Sequence, residues 1–243
     1  MARTRSALVF RSLVALSLGA CAPPTSVEGM ALADEIVDAP GATGEGIADP
    51  DRAIDGVRGA GLLAGSTDVY SLDYASRPYL VLGWSGRRVT NGPGVDIVVF
   101  ENAFRTMWDE HAYFMDPIVV AVSLDGQHWV DLPHAYVAAD PTQYSTARES
   151  WEGFAGITPV VVNDDTEPMS WLDPLAGGDG LDLDVLGTEG LEGEIRAQGF
   201  RYVRLTSAAS VTNPETGMPY PRDPISNGAD IDGVAARSVT AGP

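Results

Sequence analysis

The sequence predicts an all-β fold, a β-sandwich with long loops and at most one short helix. Short apolar runs rich in β-branched and aromatic residues recur along the chain, a composition that favours strands. Turn signals rich in Gly, Pro, Asn and Asp separate these runs, and only one short segment has a helical pattern. The chain has 243 residues, of which 44% are hydrophobic, so one large domain can bury a sizeable core.

Seven segments are predicted as strands, mainly from their β-propensity. In chain order they are 79–84, 95–101, 117–124, 127–132, 158–162, 200–206 and 230–239. The segment 95–101 is entered through Asn91-Gly92-Pro93-Gly94, a strong turn signal. In the segment 200–206 a strand would place Arg201, Val203 and Leu205 on one face, and each face mixes apolar residues with an Arg, so this strand is predicted from β-propensity more than from alternation.

The clearest pairing signal is Asp125-Gly126, which lies between two apolar runs. This dipeptide favours a hairpin with a type I′ turn, in which both central residues have positive φ. We therefore expect the segments 117–124 and 127–132 to pair as neighbouring antiparallel strands.

The one predicted helix covers 189–198, and Gly190 and Gly193 weaken it. Long loops are predicted at roughly 103–116, 138–157, 163–180 and 207–228. Trp84 and Trp129 lie in strand segments, and we assign both to the core.

The N-terminus has the order of parts of a secretory signal peptide over residues 1–20. Arg3, Arg5 and Arg11 form a cationic front, and the apolar stretch that follows is too short for a permanent membrane span. The sequence Leu18-Gly19-Ala20-Cys21 resembles the lipobox of bacterial lipoproteins, which implies cleavage before Cys21 and lipidation of that cysteine. The alternative is an ordinary signal peptide followed by an incidental cysteine.

Residues 21–45 are rich in Ala, Pro, Gly, Thr and acids and have no apolar periodicity. They are predicted to be a flexible tether from the lipid to a single β-sandwich domain over 46–243. The residue after the cysteine is Ala22, and not the Asp that acts against transfer to the outer membrane in lipoprotein sorting. The resemblance therefore favours the outer membrane, if the organism has one. The predicted protein is therefore exported and lipid-anchored in the cell envelope.

The charge excludes several function classes. All 15 cationic residues are Arg, against 34 acids, so the formal charge is −19, and it is −22 without the three arginines of the leader. Such acidity argues against nucleic acid as a partner. The absence of Lys excludes a P-loop lysine or a Schiff base, and a single Cys excludes an internal disulfide.

Three local patterns resemble discoidin-like (galactose-binding-like) jelly-roll domains. They are the loop Ala53-Ile54-Asp55-Gly56, the hairpin 122–129 with its Asp-Gly turn, and the strand 200–205, which reads Phe-Arg-Tyr-Val-Arg-Leu. Their order along one chain strengthens the resemblance. It implies a jelly-roll β-sandwich.

A longer resemblance, over most of residues 60–239, is to a family of bacterial surface lipoproteins and "cell surface proteins" without an assigned activity. The matching segments are Asn91–Asn102, Ser123–Gly126, Gly177–Leu183, Tyr202–Arg204 and Asp230–Val234, with Leu181 in place of the family's Phe. This resemblance implies a fold and a surface location and no activity.

The resemblance to discoidin-like domains also implies a structural calcium ion, where the early Asp-Gly loop meets an acid of the last strand. Asp55 matches the loop residue, and Asp230 or Asp232 stands where the terminal acid would be. Ca²⁺ takes about six to eight oxygen ligands from carboxylates and carbonyls, which Gly-rich loops with Asp supply.

A second candidate for calcium is the Gly-rich segment 177–184, with Asp179 and Asp182. Glu101, at the end of a predicted strand, could join either site. The alternative is that these acids form turns and keep strand edges soluble.

The long loops contain the residues that we predict to bind a ligand. They are Trp108, Trp151, Trp171 and Arg222, because a ligand site at the loop end of a sandwich combines aromatic platforms with a few polar groups. The alternative for each aromatic residue is that it fixes a long loop to the core.

The sequence favours a non-catalytic binding or structural role, with a glycan or another envelope protein as the partner. The runner-up is an extracytoplasmic hydrolase that acts on polysaccharide through two carboxylates. Other catalytic patterns are missing from the sequence. The segment Gly83-Trp84-Ser85-Gly86-Arg87 departs from the Gly-x-Ser-x-Gly motif of hydrolases at its last position, Arg87. No two His residues have the spacing of metal ligands.

Overall fold

The computed structural model describes residues 30–43, 46–74 and 77–242. Within these ranges the strands are β1 Ala31–Leu32, β2 Glu35–Asp38, β3 Tyr70–Ser71, β4 Tyr79–Gly83, β5 Arg87–Val89, β6 Ile97–Glu101, β7 Phe104–Arg105, β8 Tyr113–Phe114, β9 Ile118–Ser123, β10 Val130–Asp131, β11 Ala135–Tyr136, β12 Trp151–Glu152, β13 Asp179–Leu181, β14 Tyr202–Ser207, β15 Asp230–Ala236 and β16 Val239–Ala241. The helix α1 covers Gly190–Gln198, so the prediction of one short helix is confirmed.

Ten of these strands form two five-stranded antiparallel sheets, and the other six form the two-stranded sheets β5–β16, β7–β8 and β11–β12, which confirms the predicted all-β fold. One sheet has the order β1-β15-β6-β13, with β3 also paired to β15, and the other has the order β10-β9-β14-β4-β2. Buried side chains of both sheets, such as Val99 and Val234 from the first and Leu82 and Val203 from the second, share one hydrophobic cluster. The core therefore lies between the sheets, as in a β-sandwich. The jelly-roll connectivity stays a prediction.

The two longest apolar runs become strands that are buried on both faces. In β6, Val99 points into the central core, whereas Val98 and Phe100 pack on the other side with residues of a loop. In β9, Val120 belongs to the central core and Val119 to a second cluster around Trp151. Long loops thus cover the outer faces of β6 and β9, which explains why these two strands lack the polar alternation of a solvent-exposed sheet.

Most predicted strands are confirmed, with shorter bounds. The exception is the segment 158–162, where Val160 forms only an isolated bridge with Gly177. The backbone N–H groups of Val161 and Val162 both donate to the carbonyl of Ala176, so this segment does not form a regular ladder.

The hairpin predicted around Asp125-Gly126 is present, but the type I′ turn is wrong. β9 and β10 pair antiparallel, with Val122 opposite Val130, and a loop of six residues joins them. Gly126 has φ of 75°, whereas Asp125 has no positive φ. The Asp125 carboxylate instead accepts the N–H groups of the two residues after Gly126, which closes the loop as an Asx turn.

The prediction of a flexible tether over 21–45 is wrong for the part that the structure describes. β1 pairs with β15, and β2 pairs with β4, so residues 31–38 extend both sheets. Strand β2, Glu35–Asp38, has two acids among its four residues, which is why its sequence did not indicate a strand. Cys21 and the predicted signal peptide 1–20 lie outside the described residues. Within the described ranges no helix is long and apolar enough to span a membrane.

The two tryptophans assigned to the core differ. Trp84 is fully buried in the central cluster, as predicted. Trp129 is only half-buried, so its assignment to the core was wrong. The guanidinium carbon of Arg204 lies 4.6 Å from the centre of a Trp129 ring, and this stacking covers the indole at the surface.

Candidate functional site

An acidic cavity lies where the end of β6 meets the start of β15. Glu101 is the last residue of β6, Asp230 is the first residue of β15, and Glu101 pairs with Ile231 in the strand register. Antiparallel pairing brings the end of one strand to the start of its partner. It therefore joins two carboxylates that are 129 positions apart in the sequence.

The cavity has a volume of about 320 Å³ and combines carboxylates with an apolar side. The β7–β8 hairpin contributes Phe104 and Phe114, whose ring centroids are 5.0 Å apart. The other lining residues are Asn102, Met115, Asp116, Asp223, Ile225 and Ser226. An apolar platform with a few polar groups is typical of small-molecule sites.

Two carboxylate oxygens at this cavity lack a hydrogen-bond partner. Glu101 is only 2% exposed; its Oε1 accepts the backbone N–H of Asp230 at 3.1 Å, but its Oε2 has no partner among the described residues. The Asn102 amide donates to Asp230 Oδ2 at 3.3 Å, and Asp230 Oδ1 is likewise buried and unpartnered. Buried acceptors of this kind are costly unless a ligand or water donates to them.

A third carboxylate of the cavity is held by neighbouring hydroxyl groups. Tyr74 donates to Asp116 Oδ1 at 2.6 Å, and the hydroxyl of Ser226 donates to Asp116 Oδ2. Arg222, a predicted ligand-binding residue, is exposed, and its guanidinium carbon lies 4.6 Å from the centre of the Tyr74 ring. Arg222 therefore contacts a residue behind the cavity, although it does not line the cavity itself.

The surroundings of the cavity raise the pKa of its carboxyl groups. Burial raises the pKa of Glu101 well above its usual range, and the nearby charges of Asp116 and Asp230 raise it further. Burial also raises the pKa of both Asp116 and Asp230. None of the described residues that line the cavity carries a cationic side chain. A ligand that donates hydrogen bonds would stabilise these acceptors.

The structure brings Asp55 and Asp232 to the same cation, Arg58. Nη1 of Arg58 is 2.6 Å from the Asp55 carboxylate, and the backbone N–H of Arg58 donates to both carboxylate oxygens of Asp232 at 3.0 Å. The same guanidinium also pairs with Asp68 and Asp165. Asp55 therefore pairs with the Arg58 guanidinium, whereas Asp232 accepts hydrogen bonds from the Arg58 main chain, and a calcium ion at these two acids stays a prediction.

Asp179 and Asp182, the other predicted calcium ligands, accept backbone hydrogen bonds. Asp179 accepts the N–H of Ile157 at 2.9 Å, and Asp182 accepts the N–H of Asp184 at the start of a 3-10 helix. Among the described residues, no group of three or more His, Cys, Asp and Glu is placed to hold a metal ion. Of the six predicted ligands, Glu101 and Asp230 are the pair that lines the cavity.

The three predicted ligand-binding tryptophans do not share one face. Trp108 is 75% exposed, and its ring meets the edge of Phe114 at the cavity. Trp151 is fully buried in a cluster with Tyr136, so its prediction as a ligand-binding residue was wrong. It fixes a loop to the core, the alternative considered for it.

Trp171 is half-buried and packs on the cluster that covers the outer face of β6. Its indole N–H donates to the Asp164 carboxylate at 3.1 Å. It does not line the acidic cavity.

Four residues that line the cavity were not predicted from the sequence: Phe104, Phe114, Asp116 and Asp223. Asp116 directly precedes Pro117 and β9, but nothing in that local sequence indicates that it faces Glu101. The available signal was the strong prediction of 95–101 and 230–239 as strands. Pairing them antiparallel would have placed Glu101 beside Asp230.

Comparison with known proteins identifies no relatives: no protein-family model matches the chain, and no curated protein is significantly similar to it. The resemblances to discoidin-like domains and to bacterial surface lipoproteins stay predictions.

Proposed function

We propose that this protein is an exported, lipid-anchored binding protein of the cell envelope, and that its acidic cavity holds a carbohydrate. The observation that carries the proposal is the pair of buried, unpartnered oxygens, Glu101 Oε2 and Asp230 Oδ1, at the edge of an aromatic-walled cavity. The role is non-catalytic.

The chemistry of the two sides of the cavity supports a sugar. Sugar hydroxyls both donate and accept, and they can donate to the unpartnered oxygens of Glu101 and Asp230. The rings of Phe104 and Phe114 offer an apolar surface for the C–H face of a pyranose. Trp108, at the edge of Phe114, extends this aromatic surface towards solvent.

We propose calcium binding only at the acidic cavity, beside Glu101 and Asp230. The orphaned oxygens of Glu101 and Asp230 fit a hard cation, but two carboxylates cannot fill the six to eight positions that Ca²⁺ takes. Bound there, the ion would be completed by water and ligand hydroxyls, and it would neutralise charge in the cavity. The pair Asp55 and Asp232 is excluded from the proposal because both bind Arg58.

The proposed location in the cell envelope rests on the predicted signal peptide and on Cys21, both inferred from the sequence. Met30 is the first described residue and lies nine positions after Cys21. Nine residues span at most about 30 Å when fully extended. A lipid on Cys21 would therefore keep the domain close to the membrane surface.

A glycan array followed by calorimetry with the retained glycan tests the binding proposal. We expect retention by the wild-type protein and an affinity at least about tenfold weaker in Glu101→Gln and Asp230→Asn, because each change removes a carboxylate acceptor. Asp55→Asn is the matched control, since Asp55 lies at Arg58. The proposal fails if the wild type retains no glycan, or if the cavity variants bind as well as the control.

One observation favours a hydrolase as the second candidate. Burial raises the pKa of the Glu101 carboxyl, which lies beside other carboxylates, and a general acid with a raised pKa next to a second carboxylate is the arrangement of a glycosidase pair. Release of reducing sugar from a polysaccharide, abolished in Glu101→Gln and in Asp116→Asn, would identify a hydrolase. Retention of the glycan with no release of reducing sugar identifies a binding protein.

A further inference from the structure

A second cavity, beside the β7–β8 hairpin, differs from the rest of this acidic protein in its charge. This groove, which we call the arginine groove, has a volume of about 570 Å³. Its lining residues include Leu62, Arg105, Tyr113, Arg148, Met169 and Leu175. None of the described residues that line it is acidic, although the chain carries 34 acids and a formal charge of −19.

Both arginines of the groove neighbour the same tyrosine, Tyr113. Arg105 is opposite Tyr113 in the register of β7 and β8. The guanidinium carbon of Arg148 lies 5.4 Å from the centre of the Tyr113 ring. Both cations therefore border the same end of the groove.

These arginines are poorly neutralised within the protein. Arg105 forms no ion pair among the described residues, and its Nε is buried without a hydrogen-bond partner. Arg148 approaches the carboxylate of Glu149 only at 4.0 Å, and that side chain is largely exposed. By contrast, Arg52, Arg87 and other arginines of this chain form close ion pairs. An unpaired guanidinium is a ready partner for an anion.

The rest of the groove is apolar and open to solvent. Leu175 is 74% exposed and Leu62 is 52% exposed, and Met169 and Val161 lie between loops beside them. Large exposed side chains of this kind lose contact with water when an apolar group covers them, which favours binding. The volume is within the range of about 300–1,000 Å³ for small-molecule sites.

We propose that the arginine groove binds an amphiphilic carboxylate, a molecule with an apolar chain and one anionic head. The chain covers Leu62, Met169 and Leu175, and the carboxylate lies between Arg105 and Arg148. The planar guanidinium groups can donate to both carboxylate oxygens. This site is separate from the proposed carbohydrate cavity and shares no lining residue with it.

Calorimetry with decanoate below its aggregation concentration tests the proposal. The comparison ligand is a zwitterionic decyl sulfobetaine, which has the same chain without a net negative charge. Because the protein is acidic, general electrostatics disfavour decanoate, so a preference for decanoate requires a local cationic site. We expect the wild type to bind decanoate at least about tenfold more tightly than the sulfobetaine.

Arg105→Gln and Arg148→Gln are expected to remove this preference, each weakening decanoate at least about tenfold. Arg77→Gln is the matched control, because Arg77 pairs with Asp38 outside the groove. If Arg105→Gln fails to fold, the test rests on Arg148→Gln, because the partly exposed Arg148 side chain can be replaced without disturbing the core. Equal binding of both ligands, binding that survives both substitutions, or no decanoate binding overturns the proposal.

Discussion

Replacing Trp151 by Ala is expected to cost the protein a large part of its stability. The Trp151 side chain is fully buried, its ring centroid lies 4.1 Å from that of Tyr136 and 5.3 Å from that of Phe154, and its indole N–H donates to the carbonyl of Ser145 at 3.0 Å. Truncation of a core Trp costs about 3–5 kcal/mol, and the lost hydrogen bond adds about 1 kcal/mol. We expect a loss of at least about 4 kcal/mol in the free energy of unfolding.

Urea unfolding and thermal melting, both followed by circular dichroism, measure this loss. For a domain of this size, about 4 kcal/mol corresponds to a fall of about 8–16 °C in the melting temperature. Trp108→Ala is the matched control, since Trp108 is 75% exposed. It should change stability by less than about 0.5 kcal/mol and, because Trp108 meets Phe114, weaken glycan retention.

The reasoning is refuted if Trp151→Ala loses less than about 1 kcal/mol, which is too little for removal of a core tryptophan. It is equally refuted if Trp108→Ala loses as much stability as Trp151→Ala. Either result would mean that the two loops do not pack as described.

Four further predictions follow from particular residues. Burial raises the pKa of Asp232 to about 7, so the folded protein binds more protons than the unfolded chain between about pH 4 and 7. The free energy of unfolding should therefore fall as pH rises through that window, by up to about 1.4 kcal/mol per pH unit for one proton, and urea titrations should show a flatter profile in Asp232→Asn. Gly199, at the end of α1, has φ of 80° and ψ of −163°, and a Cβ there would collide with the carbonyl of Val89, so Gly199→Ala should lose more than about 2 kcal/mol. Gly217 has φ of 68° with open space around it, so Gly217→Ala should lose only about 1 kcal/mol in the same unfolding assay. Millimolar calcium should raise the melting temperature relative to EDTA in the wild type and in Asp55→Asn but not in Asp230→Asn. Equal melting temperatures in calcium and in EDTA for all three proteins would contradict calcium binding at the cavity. Palmitate labelling in a bacterial host should mark the wild type and not Cys21→Ala, which should leave the membrane fraction.

The sequence was informative where a segment's own residues determine its structure. The runs 95–101 and 117–124 are apolar and β-branched and become β6 and β9, and the weak segment 189–198 becomes α1. Strand β2 was missed because its edge position tolerates acids, and its pairing with β4 is decided by tertiary context. The Asp125 turn was misjudged because the carboxylate bonds to the backbone two and three residues ahead.

The cavity was predictable only in part. Glu101 and Asp230 were both selected as candidates, but for a calcium site that also included Asp55 and Asp232. Arg58 is the residue that separates the two pairs, since its guanidinium pairs with Asp55, three positions away, and its backbone N–H donates to Asp232, 174 positions away. Such long-range pairing depends on strand register, which one sequence does not determine residue by residue. The packing of Trp151 against Tyr136 has the same origin.

A crystal structure with the glycan retained on the array tests the central proposal most directly. The account predicts that a sugar hydroxyl lies within hydrogen-bond distance of Glu101 Oε2 or Asp230 Oδ1, with a pyranose face against Phe104 or Phe114. A glycan bound elsewhere on the domain, with both oxygens still unpartnered, would contradict it.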